Sequence, residues 1–493
     1  MAKVTTNNFS GGLDEDSRSH STNTFNDVSG FDTLSHPYRL TPYGESEAEA
    51  LTSGDITDKL VSDVLRDSNG YILAIGRVSA ANPTQDHILT KDSGTNIAST
   101  YSTTTVITGL GGHLGNSALW YKTSFYYIDK NALGIVRVGA GVLGNVGYGS
   151  IWNNMLIPRP IIHPADDIAY FAVGQNLAKV NNTTYSSISS VILPTTQFIS
   201  SLTDYDAYLA IGTAPTYEGG KSRVYLWNRD TSLSTFTSNI DWGEGSLMVL
   251  ENIGGTLIGV SISDGNYFNA TSYTVTKTKK ITIRYLSGSQ AVIFKEFDVD
   301  STFSMKNYKA RTADRLYFGG DNSTALYVVK KNKDGTLTFS KDRFINNGTA
   351  ITTLRGISII GDYLFTMFDT AGTSGNIYRT KVTSSYTNTS TWTTNINPNM
   401  PLEDRASQKK LMKVIVNTAP LPASGSITAY YSVDGSSFVE MFTQTTDNSL
   451  STPATRDVNG SPLLDGREYQ FKVTSTGGAE ITGLDYEYEK IMY

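Results

Sequence analysis

The sequence contains no cysteine among its 493 residues. This absence excludes disulfide frameworks, thiol nucleophiles and thiolate metal sites. Histidine is scarce as well, and no pair has a ligand spacing such as His-x-x-x-His; the five are His20, His36, His87, His113 and His163. A zinc site would need distant carboxylates, so the sequence predicts neither a bound metal nor a cofactor, with Ca²⁺ on loop aspartates left open.

Basic residues and long apolar runs are also few. Lysine and arginine number 40 against 46 acidic residues, which gives a formal net charge of −6. This balance is too acidic for a protein that binds nucleic acid backbones. No apolar run approaches the roughly 18 residues that span a bilayer, and the opening lacks a signal-peptide core. We expect no membrane span, and synthesis in the cytoplasm.

A short apolar and aromatic phrase, often ending in glycine, recurs seven times. The copies begin at Tyr71, Phe125, Ile168, Tyr208, Thr256, Leu316 and Tyr363. Their separations of 54, 43, 40, 48, 60 and 47 residues are typical of four-stranded propeller blades. The sequence therefore predicts an all-β protein with a β-propeller of about seven blades over residues 46–400.

The two ends of the chain differ from this repeat. Residues 1–45 lack periodicity and are rich in Asn, Ser, Gly and Asp, which predicts an extended N-terminal arm. Residues 401–493 contain five strand-like runs joined by turn-rich links. Such a block predicts a separate C-terminal β-sandwich.

Two motifs are typical of ligand sites but have simpler explanations. Gly139 to Gly144 matches G-x-G-x-x-G, yet the residues that follow are broken by glycine and do not predict the helix that a dinucleotide site needs. A glycine-rich connection between blades is the favoured interpretation. The segment from Tyr431 to Phe438 loosely resembles the Asp-box hairpin of sialidases. A type I′ turn at Asp434 and Gly435 is the favoured interpretation.

Carboxylates near the repeated phrase, namely Asp204, Asp206, Asp314 and Asp362, raise the hypothesis of a glycosidase pair. Aspartates in that position also cap turns, and this structural interpretation is favoured. A further hypothesis is glycan binding, with sugars stacking on tyrosines or on Trp120, Trp152, Trp227 or Trp242.

The opening Asn8-Phe-Ser-Gly-Gly-Leu-Asp14, followed by Phe31 to Pro42, resembles the start of many bacteriophage virion proteins. The block from Lys410 to Tyr488 is similar in layout to the terminal β-domain of tail-nozzle proteins of short-tailed phages. In that family, too, a propeller occupies the middle of the chain. The two likenesses together cover about a quarter of the sequence.

The resemblance implies a non-enzymatic structural protein of the virion, in a ring at the tail nozzle or neck through which DNA passes without sequence-specific binding. Its expected partners are other tail or neck proteins and further copies of itself, with localisation in the virion. Phe9, Gly11, Gly12 and Leu13 are the residues expected to dock the arm on a partner. The alternative is a receptor- or glycan-binding propeller of a tail fibre or adhesin that binds a host surface glycan.

Overall fold

The fold consists almost entirely of β-strands. The computed structural model describes residues 2–14, 23–43, 46–48, 60–66, 72–77, 87–92, 101–107, 118–129, 134–137, 141–145, 158–181, 184–188, 191, 193–217, 219–231, 236–269, 274–320, 325–344, 353–361, 363–370, 374–380 and 389–491. Strands account for 64% of the chain and helix for 1%, which confirms the prediction of an all-β protein. Within the described ranges, no helix is long and apolar enough to cross a membrane.

Six short strands open the chain: β1 (Ala2–Thr6), β2 (Gly12–Leu13), β3 (Thr24–Ser29), β4 (Phe31–Asp32), β5 (Thr41–Pro42) and β6 (Ser46–Ala48). Strands β4 and β5 pair with each other in a small sheet of their own.

Seven four-stranded sheets follow. The first three are formed by β7 (Leu60–Arg66), β8 (Ile72–Arg77), β9 (His87–Asp92) and β10 (Tyr101–Ile107); by β11 (Ala118–Tyr121), β12 (Ser124–Asp129), β13 (Gly134–Arg137) and β14 (Gly141–Asn145); and by β15 (Ile161–His163), β16 (Ile168–Val173), β17 (Asn176–Asn181) and β18 (Thr184–Ile188). The next three are formed by β19 (Gln197–Tyr205), β20 (Tyr208–Pro215), β21 (Lys221–Trp227) and β22 (Ser238–Glu244); by β23 (Ser246–Ile253), β24 (Thr256–Asn269), β25 (Thr274–Ser287) and β26 (Gln290–Val299); and by β27 (Met305–Arg311), β28 (Arg315–Gly320), β29 (Ala325–Lys331) and β30 (Leu337–Phe344). The seventh sheet joins β31 (Thr353–Ile360), β32 (Tyr363–Thr370) and β33 (Ser374–Thr380) to β6 from the start of the chain.

The recurring phrase of the sequence corresponds to the second strand of each sheet. These second strands are β8, β12, β16, β20, β24, β28 and β32. Strand β20 shows why the phrase is almost wholly apolar, since its residues from Leu209 to Ala214 are all buried. A strand covered on both faces reads as a continuous apolar run rather than as an alternation.

First strands of neighbouring sheets contact one another at most positions along the series; we call β7, β11, β15, β19, β23, β27 and β31 the inner strands. Strand β19 contacts β23, β23 contacts β27, β27 contacts β31, and β31 contacts β7. Apolar side chains fill the space between successive sheets. Ala210, Val224 and Leu226 of the fourth sheet, for example, pack with Leu247 and Leu257 of the fifth.

The rest of the chain forms β34 (Ser390–Thr394), the single-turn helix α1 (Leu402–Arg405), β35 (Lys409–Thr418), β36 (Ser426–Val433), β37 (Val439–Gln444), β38 (Ser451–Ala454), β39 (Asp465–Gly466), β40 (Tyr469–Thr476) and β41 (Ile481–Lys490). Two larger sheets contain these strands. One runs β1-β41-β35-β38, with β39 also on β35, and the other runs β2-β3-β34-β40-β36-β37.

The compact units differ from the predicted boundaries of 1–45, 46–400 and 401–493. One unit contains residues 1–47, 324–349 and 380–493, and the other contains residues 48–323 and 350–379. The first residues belong with the last because β1 pairs with β41, from Ala2 opposite Tyr488 to Thr6 opposite Leu484. The sequence predicts an extended arm there, whereas the structure has strands whose backbone hydrogen bonds are completed by the end of the chain.

Candidate functional site

The densest group of interacting charges among the described residues lies on three inner strands. Asp204 lies near the end of β19, Glu251 lies near the end of β23, and Lys309 and Arg311 lie at the end of β27. Lys309 and Arg311 are two residues apart on one strand, so their side chains lie on the same face. We call these four residues the inner-strand charge cluster.

Lys309 is buried and its ammonium has four acceptors. Its Nζ lies 3.2 Å from Glu251 Oε1 and donates to Ser201 Oγ at 3.1 Å, Leu202 O at 2.7 Å and Leu250 O at 2.6 Å. Burial lowers the pKa of Lys309, and Glu251 opposes that shift. One side chain of the sixth sheet thereby holds the inner strands of the fourth and fifth sheets.

Arg311 joins the two carboxylates of the cluster. Its Nη2 lies 2.5 Å from Asp204 Oδ1, and its Nη1 lies 3.3 Å from Glu251 Oε2. Nη1 also donates to Asn252 O at 2.9 Å. Burial alone would lower the pKa of Arg311, but Glu251 and Asp204 together raise it. Glu251 Oε2 also accepts from Thr203 Oγ1 at 2.6 Å and from the Asn252 N–H at 3.3 Å, so the Glu251 carboxylate has four partners.

Arg159 extends these connections to the seventh sheet. It lies between two buried prolines just before β15. Its guanidinium donates to Lys309 O at 3.4 Å, Ile357 O at 3.2 Å and Ser358 Oγ at 3.2 Å. A side chain that precedes the third sheet therefore contacts the inner strands of the sixth and seventh sheets, which joins strands far apart in sequence.

The predicted carboxylates occupy structural positions where they are described. Asp204 is bonded to Arg311, and Asp314 accepts from Thr312 Oγ1 at 3.0 Å. Asp206 adopts a positive φ of 51° in the turn between β19 and β20, and Asp362 lies outside the described residues. Sequence reasoning missed Glu251, Lys309, Arg311 and Arg159, whose only signal is a charge at the end of, or just before, an apolar strand.

The tryptophans considered for sugar stacking are mostly covered. Trp227 and Trp242 are 1% and 0% exposed, so neither ring can receive a sugar without rearrangement. Trp120 is half-buried, with Nε1 donating to Lys122 O at 3.0 Å. Trp152 lies outside the described residues.

The residues predicted to dock the arm lie within the unit that contains both ends of the chain. Phe9 is 1% exposed and meets Trp392 edge to face, with 5.3 Å between ring centroids. Leu13 is buried, Gly12 has a φ of 77°, and a Cβ on Gly12 would lie 2.6 Å from Phe339 O. Gly11 is exposed. Docking on a partner stays a prediction, and among these four residues only Gly11 faces solvent.

Only one of the two weaker motifs has the structure favoured for it. A connection between two blades is the favoured interpretation of the G-x-G-x-x-G match, but Gly141–Asn145, which begins within it, forms the strand β14 and neither a connection nor the start of a helix. Asp434 and Gly435 both have positive φ, at 50° and 76°, which confirms a type I′ hairpin turn. Across the part of the chain that the structure describes, no three His, Asp or Glu side chains are grouped to hold a metal ion.

Several solved structures have similar, propeller-like arrangements. A structure titled "YCF48 bound to D1 peptide" matches with a TM-score of 0.41 and 12% identity, over 69% of this chain and 96% of the other. A Mycobacterium tuberculosis puromycin-hydrolyzing peptidase matches with a TM-score of 0.40 and 9% identity, over 70% of this chain and 60% of the peptidase. An exo-beta-1,3-galactanase from Phanerochaete chrysosporium matches with a TM-score of 0.28 and 10% identity, over 91% of this chain and 100% of the galactanase. No protein-family model matches the sequence, and no curated protein does.

The prediction that the protein is not an enzyme was wrong. Two of these similar structures are enzymes, the peptidase and the galactanase. The prediction rested on the resemblance to phage structural proteins, but a propeller-like fold serves catalysts and binding proteins alike. The likeness assigns no activity to this chain.

Proposed function

We propose that the seven four-stranded sheets are the blades of a seven-bladed β-propeller. The contacts between neighbouring inner strands support this proposal, and above all the contact of β31 in the seventh sheet with β7 in the first. The supply of the last strand of the seventh sheet by β6 from the start of the chain supports it as well. The two larger sheets, which hold β1, β2 and β3 together with all of the strands from β34 to β41, form the C-terminal β-sandwich in the same proposal.

The proposed function is that of a structural component of a phage virion, in a ring at the tail nozzle or neck. Its partners are other tail or neck proteins and further copies of the chain. DNA passes the ring without sequence-specific contacts, in keeping with the net charge of −6.

The opening Asn8-Phe-Ser-Gly-Gly-Leu-Asp14 is the observation that carries the proposal. Three of its residues have identities that their positions require: Phe9 fills a buried place against Trp392, Leu13 is buried, and Gly12 has no room for a Cβ. A likeness to virion proteins at positions under such demands is more informative than a likeness at exposed, unconstrained positions.

The inner-strand charge cluster is compatible with a structural role. Asp204 and Glu251 each accept from a cation, and Lys309 is fully enclosed by acceptors. Side chains engaged in this way join neighbouring inner strands.

The experiment is to locate the protein in virus particles from the host that carries its gene. Antibodies raised against the purified protein are applied to intact particles with gold label, beside antibodies against the major capsid protein as a positive control. Gold at the tail or neck, with rotationally symmetric density there in averaged images, is the expected result. Particles that contain no trace of the chain by immunoblot would overturn the proposal and turn attention to glycan arrays.

A further inference from the structure

Three buried polar atoms between the fourth and fifth sheets have no hydrogen-bond partner among the described residues. They are Trp242 Nε1 of β22, Ser261 Oγ of β24 and Arg284 Nη1 of β25. Trp242 is 0% exposed, Ser261 1% and Arg284 9%. Buried donors without acceptors are costly, at about 1–3 kcal/mol for each neutral group and more for a charge.

The three side chains are brought to one place by the register of β24 and β25. Arg284 lies opposite Gly259, and Ser261 follows Gly259 by two residues on the same face. Trp242 covers that face from the neighbouring sheet, since a Cβ on Gly259 would lie 2.5 Å from Trp242 Nε1. The Trp242 indole therefore lies over the bare backbone of Gly259, on the sheet face that also carries Arg284 and Ser261.

Two glycines make room for this arrangement. Gly259 admits the Trp242 indole, and Gly243, with a φ of 96°, lies under the Arg284 guanidinium. A Cβ on Gly243 would come within 2.8 Å of Arg284 Cζ. Any larger residue at either position would displace one of the donors, so the placement of the donors depends on these two glycines.

We propose that this donor cluster of Trp242, Ser261 and Arg284 binds a small inorganic anion between the fourth and fifth sheets. An anion accepts from all three groups and needs no hydrogen of its own. A water molecule would bring two hydrogens, for which the cluster offers one acceptor, Ser261 Oγ. The guanidinium supplies the positive charge.

The carboxylates nearest Arg284 belong to Glu296, Asp241 and Glu244. None of the three is buried. Asp241 lies 3.4 Å from Lys221 Nζ, and its Oδ1 accepts from the Gly243 N–H. Glu296 lies 4.0 Å from Lys280 Nζ and accepts from Thr282 Oγ1. Water screens all three charges, and two of the carboxylates already have other partners. The buried donors therefore remain available to bind an anion. Burial lowers the pKa of Arg284, which a bound anion would oppose.

The test is thermal unfolding of the full chain at constant ionic strength, with gluconate replaced stepwise by chloride in one series and by phosphate in another. Binding raises Tm with a saturable dependence on the anion, by a few degrees at about a hundredfold excess over Kd. The series that saturates at lower concentration identifies a halide or a tetrahedral oxyanion as the preferred ligand.

Three variants and one control accompany the titration. Arg284→Met should lose the saturable shift, whereas Ser261→Ala and Trp242→Phe should weaken it about 5- to 50-fold in apparent Kd, as the loss of one hydrogen bond does. The control variant Arg223→Met, on the strand β21 beside β22, should keep the saturable shift in Tm. Tm values that depend equally on both anions in the parent chain and in Arg284→Met, without saturation, would overturn the proposal. If Arg284→Met fails to fold, retention of the full shift in both Ser261→Ala and Trp242→Phe would overturn it as well.

Discussion

Lys309 and Lys409 are both buried lysines with several acceptors, yet they differ in whether a carboxylate is among those acceptors. Lys309 has a carboxylate, Glu251, at 3.2 Å. Lys409 donates instead to three backbone carbonyls, those of Asp404 at 2.9 Å, Arg405 at 3.2 Å and Ser407 at 2.7 Å. We therefore expect different consequences when each is replaced by methionine, which has a similar length and no charge.

Lys309→Met should destabilise the protein strongly. The substitution leaves Glu251 with Arg311 as its remaining cation and removes the Lys309 donor from Leu202 O and Leu250 O. Breaking a buried pair costs about 3–5 kcal/mol. Chemical denaturation checks this. The control is Lys221→Met, which removes an exposed pair with Asp241 and should cost at most about 1 kcal/mol. Equal effects of the two substitutions would contradict the argument.

Lys409 predicts a pH dependence of stability. Burial lowers its pKa from 10.5 to about 8, with Asp404 opposing that shift. Between about pH 8 and pH 10.5 the unfolded chain keeps a proton that the folded chain has released, so this group makes the folded state more stable as pH rises. The free energy of unfolding is measured for the parent and for Lys409→Met at several pH values. The value for the parent relative to that for Lys409→Met should increase from about pH 8 to about pH 10.5. A constant difference would show that Lys409 keeps its ordinary pKa.

At the scale of single elements, β2 depends on glycine at position 12. Alanine there must keep a φ of 77° and place its Cβ 2.6 Å from Phe339 O. Gly335 is a matched control, since its φ is 87° and a Cβ at that position would have no atom within 4 Å among the described residues. Gly335→Ala should cost about 1–2 kcal/mol for the left-handed conformation alone, and Gly12→Ala should cost more. The denaturant midpoints of the two variants measure these losses of stability. A smaller loss of stability for Gly12→Ala than for Gly335→Ala would contradict the prediction.

The sequence predicted the second strand of every four-stranded sheet, because these strands read as apolar runs, as expected for a strand covered on both faces such as β20. It did not predict that β6 completes the seventh sheet or that β1 pairs with β41. Both pairings join residues far apart in the chain, and a short strand such as Ser46–Ala48 has no pattern that names its partner. Lys309 and Arg159 were missed for the same reason, since their acceptors come from distant strands.

At the scale of the whole molecule, the first residues are part of the fold rather than an appendage. Val4, Phe9 and Leu13 are buried, and β1 covers one edge of β41. Deletion of residues 2–14 should therefore lower Tm and abolish cooperative unfolding of the unit that contains residues 380–493. A deleted chain as stable as the parent in calorimetry would instead fit an arm that serves only to dock on a partner.

The pairing of β1 with β41 also has a consequence for the order of events during synthesis. Residues Ala2–Thr6 leave the ribosome long before their partners in Ile481–Lys490. At 5–20 residues per second, roughly 25 to 95 s separate the two. For that time β1 has hydrogen-bonding edges and apolar side chains without their native partners. A nascent chain of this kind is exposed to chaperones and to its neighbours on the polysome until β41 is released.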